Sequence, residues 1–130
     1  MSPGLRAAGR RRYVSLTSFR RSGAGVPTAV WVAPAGEALV VVTGAGEGKT
    51  KRLRRDPRVE LRECSVSGRV RPGAPVVHGV VEIVRDPAAQ APLLAALHRK
   101  YGWQLTAYRA IERRLRPDGP GAVILRITDA

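Results

Sequence analysis

The sequence has a single cysteine, Cys64, in 130 residues. One cysteine cannot form a disulfide within the chain or supply a cysteine-based metal cluster, and its simplest role is that of a small packed side chain. No run of eighteen apolar residues occurs, and the N-terminal segment MSPGLRAAGRRRY lacks the apolar core of a secretory signal. We therefore expect a soluble, cytoplasmic protein without a membrane partner.

Aromatic residues make up only 5% of the chain, and 10 acidic residues face 23 Lys and Arg, which leaves a formal net charge of +13. This excess implies a polyanionic partner: nucleic acid, an acidic membrane surface or a multiply charged cofactor. Proteins that bind single-stranded nucleic acid stack bases on exposed aromatic side chains. The scarcity of aromatics therefore disfavours a non-catalytic nucleic-acid-binding module, which stays as an alternative.

The length and the 44% hydrophobic content suit one domain with one core. Residues 1–12 are rich in arginine and show no strand pattern. We expect these residues to be a flexible basic N-terminus, followed by a single domain over residues 13–130.

The apolar pattern predicts a fold that is mainly β with helices (α+β). Strands are expected at 13–19, 26–33, 38–43, 58–64, 76–84 and 119–127. The apolar run ALVVV indicates that the strand at 38–43 is buried on both faces. A short helix at 49–57 and a helical region at 86–116, interrupted at Gly102, complete the pattern. This order predicts a mostly antiparallel sheet closed into a small barrel, with the helices on one side.

The helical region carries an apolar stripe, because apolar residues recur at steps of three and four. The stripe consists of Leu94, Leu97, Tyr101, Leu105, Tyr108, Ile111 and Leu115. We expect this face to pack against the sheet.

The segment TGAGEGKT, residues 43–50, has some features of a phosphate-binding P-loop. A P-loop requires G-x-x-x-x-G-K-[ST], but the position five residues before Gly48 is Thr43. The dinucleotide pattern G-x-G-x-x-G also fails, because the glycines are spaced G-x-G-x-G. The segment instead predicts a glycine-rich turn that opens a helix beginning at Lys49 and offers N–H groups and positive charge to an anion.

Four segments occur in the order and spacing of the split β-barrel flavin and deazaflavin oxidoreductases: YVSLTSFRRSG, VPTAVWV, GKTKRLRRDPRVEL and RKYGWQ. From about Tyr13 to Ile127, the chain resembles the coenzyme F420-dependent branch of the pyridoxamine 5'-phosphate oxidase-like superfamily. The resemblance implies an FMN-binding split β-barrel fold. It also implies an oxidoreductase that transfers a hydride between a reduced deazaflavin and a small organic substrate.

The spacing after the third strand bears on the cofactor. In the related flavin-dependent oxidases this turn reads serine, arginine, lysine, and the two basic residues hold the cofactor phosphate. Lys49, Leu53 and Asp56-Pro57 keep the oxidases' spacing of lysine, leucine and asparagine-proline, and Gly48 takes the place of the arginine. Glycine there is typical of deazaflavin relatives. The resemblance therefore implies coenzyme F420, with FMN as the alternative cofactor and an FMN- or haem-binding protein of the same fold as the alternative function.

Coenzyme F420 carries a phosphodiester, a lactyl carboxylate and a tail of several glutamates, which require a basic track. The segment KTKRLRR offers one: Lys49 is expected at the phosphate, Lys51 and Arg52 along the tail, and Thr50 is also among the expected cofactor-binding residues. A solvated basic turn without a ligand remains the competing interpretation. Because neither Lys49 nor Arg52 lies on an apolar stripe, reversing either charge should leave the fold intact.

The resemblance also implies which residues face the ring. The strand backbone at Val30, Trp31 and Val32 would run along the deazaflavin, and Thr43 would supply a hydroxyl from the neighbouring strand. An ordinary core tryptophan is the competing role for Trp31.

Tyr101 and Trp103, in KYGWQ, are candidates to line the substrate side, and helix packing is their competing role. We assign no catalytic residue and no metal ligand, because no Ser-His-Asp set, paired-carboxylate site or metal cluster is evident. The relatives build their cofactor cleft between two barrels, so we expect a homodimer that acts on a small-molecule substrate.

Overall fold

The computed structural model describes residues 1–44, 46, 48–115 and 121–130. Within them, the chain forms α1 (Pro3–Gly9), β1 (Tyr13–Phe19), β2 (Gly25–Trp31), β3 (Ala33–Ala35), β4 (Ala38–Gly44), α2 (Gly48–Arg55), β5 (Arg58–Glu63), β6 (Val77–Val84), α3 (Pro87–Tyr101), α4 (Trp103–Leu115) and β7 (Ala122–Asp129). None of these helices is long and apolar enough to cross a membrane.

The strands form one sheet in the order β2-β1-β5-β6-β7-β4-β3, and each neighbouring pair is antiparallel. The two edge strands, β2 and β3, are separated in sequence by Val32 alone. The chain therefore passes from one edge of the sheet to the other at this residue, and the sheet curls into a split barrel. The predicted antiparallel barrel is confirmed.

Alternation of side chains in β4 gives the barrel a core on each face of the strand. Leu39 and Val41 point into the barrel, whereas Val40 belongs to the buried cluster on the outer face that also includes Leu97 of α3. The prediction that this strand is buried on both faces is confirmed. The inner cluster consists of Leu5, Ala8, Val14, Leu16, Val30, Val32, Leu39, Val41, Leu53, Val59, Leu61, Val81, Val123, Leu125 and Ile127.

Helix α3 covers the outer face of β3, β4 and β7. Of the predicted stripe, Leu97, Tyr101 and Leu105 are buried there, and Leu94 packs at the margin. The remaining stripe positions, Tyr108, Ile111 and Leu115, have side chains outside the described part of the structure. Gly102 separates α3 from α4 with a positive φ of 59°, a conformation that favours glycine.

The N-terminus differs from the prediction. Residues 1–12 were expected to be flexible, but Pro3–Gly9 forms helix α1, with Ser2 as its N-cap. Leu5 is 0% exposed and Ala8 is buried, and these two residues, three apart on one helix face, close one end of the barrel. The high arginine content of residues 1–12 suggested a flexible segment. Ser2-Pro3 is nevertheless a helix-start signal, and Leu5 and Ala8 form an apolar face.

Several element boundaries also differ. The strand expected at 26–33 divides into β2 and β3, and β3 includes Pro34, which an edge strand tolerates because it needs no ladder N–H. Helix α2 begins at Gly48, one residue before the expected start. The expected beginning of the last strand, at residues 119–120, lies outside the described residues.

Candidate functional site

Lys49 and Thr43 lie together at the α2 end of the barrel. Thr43 is near the end of β4, and α2 begins five residues later. The first turn of α2 therefore lies over the end of that strand. The Lys49 side chain is only 6% exposed, and its Nζ donates a 2.7 Å hydrogen bond to Thr43 Oγ1. Two residues expected at the cofactor are thus in contact, and they place a positive charge inside the barrel end.

Burial of Lys49 corrects one expectation. Charge reversal there was expected to leave the fold intact, because Lys49 does not lie on an apolar stripe. With Lys49 only 6% exposed, a glutamate would place a carboxylate in a buried position next to Thr43, and an unpaired buried charge is strongly destabilising. An uncharged side chain of similar length is the appropriate substitution.

Thr50 connects α2 to the same strand. Its side chain is fully buried, and its hydroxyl donates a 2.8 Å hydrogen bond to the carbonyl oxygen of Gly44. The Thr50 hydroxyl therefore donates its proton to a backbone carbonyl. In this position Thr50 fixes the first turn of α2 relative to Lys49.

Arg52 folds back over the start of its own helix. Its Nε donates a 2.7 Å hydrogen bond to Ser18 Oγ on β1. A Cβ at Gly48 would lie 2.9 Å from Nη1 of Arg52, closer than such atoms approach in proteins. Glycine at position 48 therefore leaves room for the Arg52 guanidinium, which takes up space that a side chain at 48 would occupy.

Two further arginines lie beside Arg52. Arg55 Nη2 donates to the carbonyl oxygen of Phe19 at 2.5 Å, and burial, followed by the charges of Arg20 and Arg55, lowers the pKa of Arg52. Lys51, by contrast, is exposed. Sequence reasoning did not select Arg20, because it is 32 residues from Arg52; its position directly after a predicted strand was the available signal.

A second group of expected site residues surrounds Val32. The Val32 N–H donates to the Tyr101 hydroxyl at 2.9 Å, and the Val32 carbonyl accepts a 2.5 Å hydrogen bond from Lys100 Nζ. Trp31 stacks on the Tyr101 ring, with centroids 4.7 Å apart and planes 16° from parallel. Val30 points into the core.

Tyr101 and Trp103 differ in their surroundings although only Gly102 separates them. Tyr101 is 4% exposed, and burial raises the pKa of its hydroxyl to about 12. Trp103 is 76% exposed at the start of α4. These positions suit packing for Tyr101 and leave Trp103 accessible from solvent.

The two groups lie at different positions along the barrel. Arg52 contacts Ser18, which pairs with Val26, whereas Trp31 pairs with Tyr13. Tyr13 and Ser18 are five positions apart on β1, roughly 17 Å at strand rise. A ligand that touches both groups must therefore be elongated.

Cys64 is half-buried, and its environment does not activate it. Burial, followed by the charge of Glu63, raises the pKa of the thiol, which disfavours the nucleophilic thiolate. In the part of the chain that the structure describes, no three His, Cys, Asp or Glu side chains are grouped so as to hold a metal ion.

Comparison with solved structures identifies proteins of the same fold. A conserved hypothetical protein from Mycobacterium tuberculosis superposes with a TM-score of 0.67 at 23% identity, over 99% of this chain and 81% of that one. An F420 reductase gives a TM-score of 0.62 at 22% identity, over 100% and 96%. The haem storage protein HutZ from Vibrio cholerae gives 0.68 at 12% identity, over 99% and 89%.

No curated protein shows significant sequence similarity to this chain. A family profile described as pyridoxamine 5'-phosphate oxidase, however, matches residues 5–128, a range that runs from α1 into β7 and includes both groups of candidate site residues. The chain therefore belongs to the pyridoxamine 5'-phosphate oxidase family.

Proposed function

We propose that this protein binds coenzyme F420 and acts as an oxidoreductase on a small organic substrate. The observation that carries the proposal is the arrangement at the α2 end of the barrel, where a buried Lys49 contacts Thr43 and Arg52 folds over Gly48. Cationic donors held in place by neighbouring hydroxyls suit a phosphate.

The donor chemistry of these residues fits the phosphate of such a cofactor. An ammonium has three N–H donors and a guanidinium has five, and neither accepts hydrogen bonds. Thr43 Oγ1 accepts one bond from Lys49, and Ser18 Oγ accepts one from Arg52. These contacts orient the two cations before any ligand arrives, which lowers the entropic cost of binding an anion.

An elongated cofactor can join the two groups of residues. With its phosphate near Lys49, its ring would extend toward the strand backbone at Val30, Trp31 and Val32. In this arrangement the Tyr101 hydroxyl, bonded to Val32 N–H, holds the ring-facing strand in position. Trp103, exposed at the start of α4, is the proposed contact on the substrate side.

A bound reduced deazaflavin supplies a hydride. The chain's own residues would bind the phosphate, align the ring with the substrate and exclude water from the contact. No general acid is assigned.

We further propose that the active form is a homodimer. Helix α3 covers the outer face of β3, β4 and β7, but the outer face of β1, β2 and β5 forms an open groove of about 490 Å³. Ser15, Thr17 and Pro27 are among the residues that line it. A second barrel at this face would shield the groove from water.

The competing functions are less well supported. Haem iron requires an axial ligand such as histidine, but His78 and His98 are both exposed on the surface rather than directed into a pocket. FMN needs only the phosphate contacts and would leave the arginines near Arg52 without a ligand group. A nucleic-acid-binding module would require several exposed aromatics, and Trp103 is the one large example among the described residues.

The test is a set of fluorescence and absorption titrations of the purified protein with coenzyme F420, FMN and haem in parallel. We expect coenzyme F420 to bind most tightly, and its reduced form to be oxidised in the presence of an accepted substrate. Tighter binding of FMN or haem would transfer the assignment to that cofactor.

A further inference from the structure

We propose that Arg20, Arg52 and Arg55 form a second anion subsite, next to Lys49, that binds the carboxylates of an oligoanionic cofactor tail. This inference rests on the proposed function and deepens it. It assigns the tail to Arg20 and Arg55 on the β1 side of α2, and not to Lys51, which the sequence had suggested.

The geometry brings two guanidinium groups, those of Arg52 and Arg55, to the end of β1, next to the residue Arg20. Arg52 is attached to β1 through Ser18 Oγ at 2.7 Å, and Arg55 through the carbonyl oxygen of Phe19 at 2.5 Å. Arg20 is the residue that follows Phe19. Two side chains of α2 thus reach the end of β1, where the chain itself supplies the third arginine.

The backbone around Arg20 is fixed. Its N–H donates to the carbonyl of Ala24, and its own carbonyl accepts from Gly23, both at 2.9 Å. Gly23 has φ +90°, which glycine adopts without strain. The turn between β1 and β2 therefore holds the base of the Arg20 side chain in a defined position.

Arg52 lies close to two like charges. Burial, followed by the charges of Arg20 and Arg55, lowers the pKa of Arg52. Among the described residues, no ion pair joins any of the three to a carboxylate, and Asp56, next to Arg55 in sequence, is bonded to Arg58 at 2.7 Å. Like charges held together without a counter-charge disfavour the folded state, so a bound anion would relieve the repulsion.

Carboxylates are the ligand groups that match this arrangement. A guanidinium presents a planar fork that binds a carboxylate or phosphate with two parallel hydrogen bonds. Lys49 and Arg52, three apart on α2, are spaced to reach a single phosphate, whereas a cluster of three arginines suits several anionic groups in series. An oligoglutamate tail has this chemistry.

The experiment compares Arg20→Gln with Arg21→Gln. Both positions are exposed in the same turn, but only Arg20 acts on Arg52. Each variant and the wild type are titrated with coenzyme F420 that carries several glutamates and with the same deazaflavin phosphate lacking glutamates. We expect Arg20→Gln to weaken binding of the long-tail form about tenfold, as for the loss of one charge-assisted contact. Binding of the tail-less form should be unchanged, and Arg21→Gln should bind both forms as the wild type does.

Wild-type affinity of Arg20→Gln for the long-tail form, or equal loss for both forms, would overturn the subsite. Tripolyphosphate, a multiply charged anion without a flavin, separates this outcome from failure of the proposed function. It should raise the melting temperature of the wild type and of Arg21→Gln, and raise that of Arg20→Gln less. Equal increases in all three proteins would reject the subsite whichever cofactor the protein binds.

Discussion

The Tyr101 hydroxyl binds both backbone groups of Val32, accepting from its N–H at 2.9 Å and lying 2.8 Å from its carbonyl oxygen. Val32 is the residue between β2 and β3, where the chain leaves one edge of the sheet for the other. Residues inside a sheet satisfy these groups with ladder partners, and buried backbone groups without partners are costly. Tyr101, together with Lys100, therefore supplies from α3 the hydrogen bonds that Val32 lacks within the sheet.

Replacing Tyr101 by phenylalanine should destabilise the fold, because the ring remains but the Val32 N–H loses its acceptor. We expect a loss of about 1–3 kcal/mol in the free energy of unfolding, measured by urea denaturation. Trp103→Phe, two residues away and exposed, is the control and should change stability by less than about 0.5 kcal/mol. If the two substitutions changed the free energy of unfolding equally, the Tyr101 hydroxyl would have no specific structural role.

Leu5→Ala should reveal whether the N-terminal helix is part of the core. Leu5 is 0% exposed in the inner cluster, so truncation should cost about 2–5 kcal/mol of unfolding free energy. Val66→Ala, at a position that is 70% exposed, provides the comparison and should be close to neutral. If Leu5→Ala were also neutral, residues 1–12 would behave as the flexible segment that composition suggests.

Asp56 should contribute to stability in a pH-dependent way. Hydrogen bonds from the side chain and backbone of Arg58 lower the pKa of Asp56 from 3.8 to about 2. A carboxyl group whose folded pKa is depressed stabilises the protein above its unfolded pKa and loses this contribution as the pH falls through the folded value. The stability difference between wild type and Asp56→Asn should therefore be constant above about pH 5 and shrink as the pH falls from there through about pH 2. A carboxyl NMR titration midpoint near 3.8 would contradict this account.

The assembly state tests the proposed pairing of barrels. Sedimentation equilibrium at working concentration should give twice the 14.0 kDa of the chain. Pro27→Arg, at an exposed position that lines the open groove, should shift the equilibrium toward the monomer, because it places a large charged side chain in the proposed interface. A wild-type protein that sediments as a monomer would argue against a cofactor cleft between two barrels.

Local sequence patterns predicted most of the fold, and the strand at 38–43 was recognised from its apolar run. The contact between Lys49 and Thr43 was not predicted, because the resemblance implied separate roles for them, Lys49 at the phosphate and Thr43 beside the ring. The break at Val32 was not predictable in the same way, because the apolar run continues from Val30 through Ala33 without a turn signal. Which strand each residue pairs with depends on closure of the whole sheet.

Arg20 was missed for a related reason. Its significance comes from the proximity of β1 to α2, which is a long-range property of the fold. The helix at Pro3–Gly9 was missed because Arg6 and the three arginines that follow the helix dominated the composition of residues 1–12. Leu5 and Ala8 become informative only once the barrel end that they cover is known.

The most direct test of the account is the affinity for coenzyme F420 of Lys49→Met compared with Lys51→Met. Both substitutions remove one positive charge from α2 and keep most of the side-chain length, but only Lys49 is buried against Thr43. With folding verified by circular dichroism, Lys49→Met should weaken binding roughly 10- to 150-fold, the equivalent of about 1.5–3 kcal/mol for a charge-assisted contact, and Lys51→Met should bind within about twofold of the wild type. A folded Lys49→Met protein that binds coenzyme F420 with wild-type affinity would contradict the assignment of the cofactor phosphate to this end of the barrel.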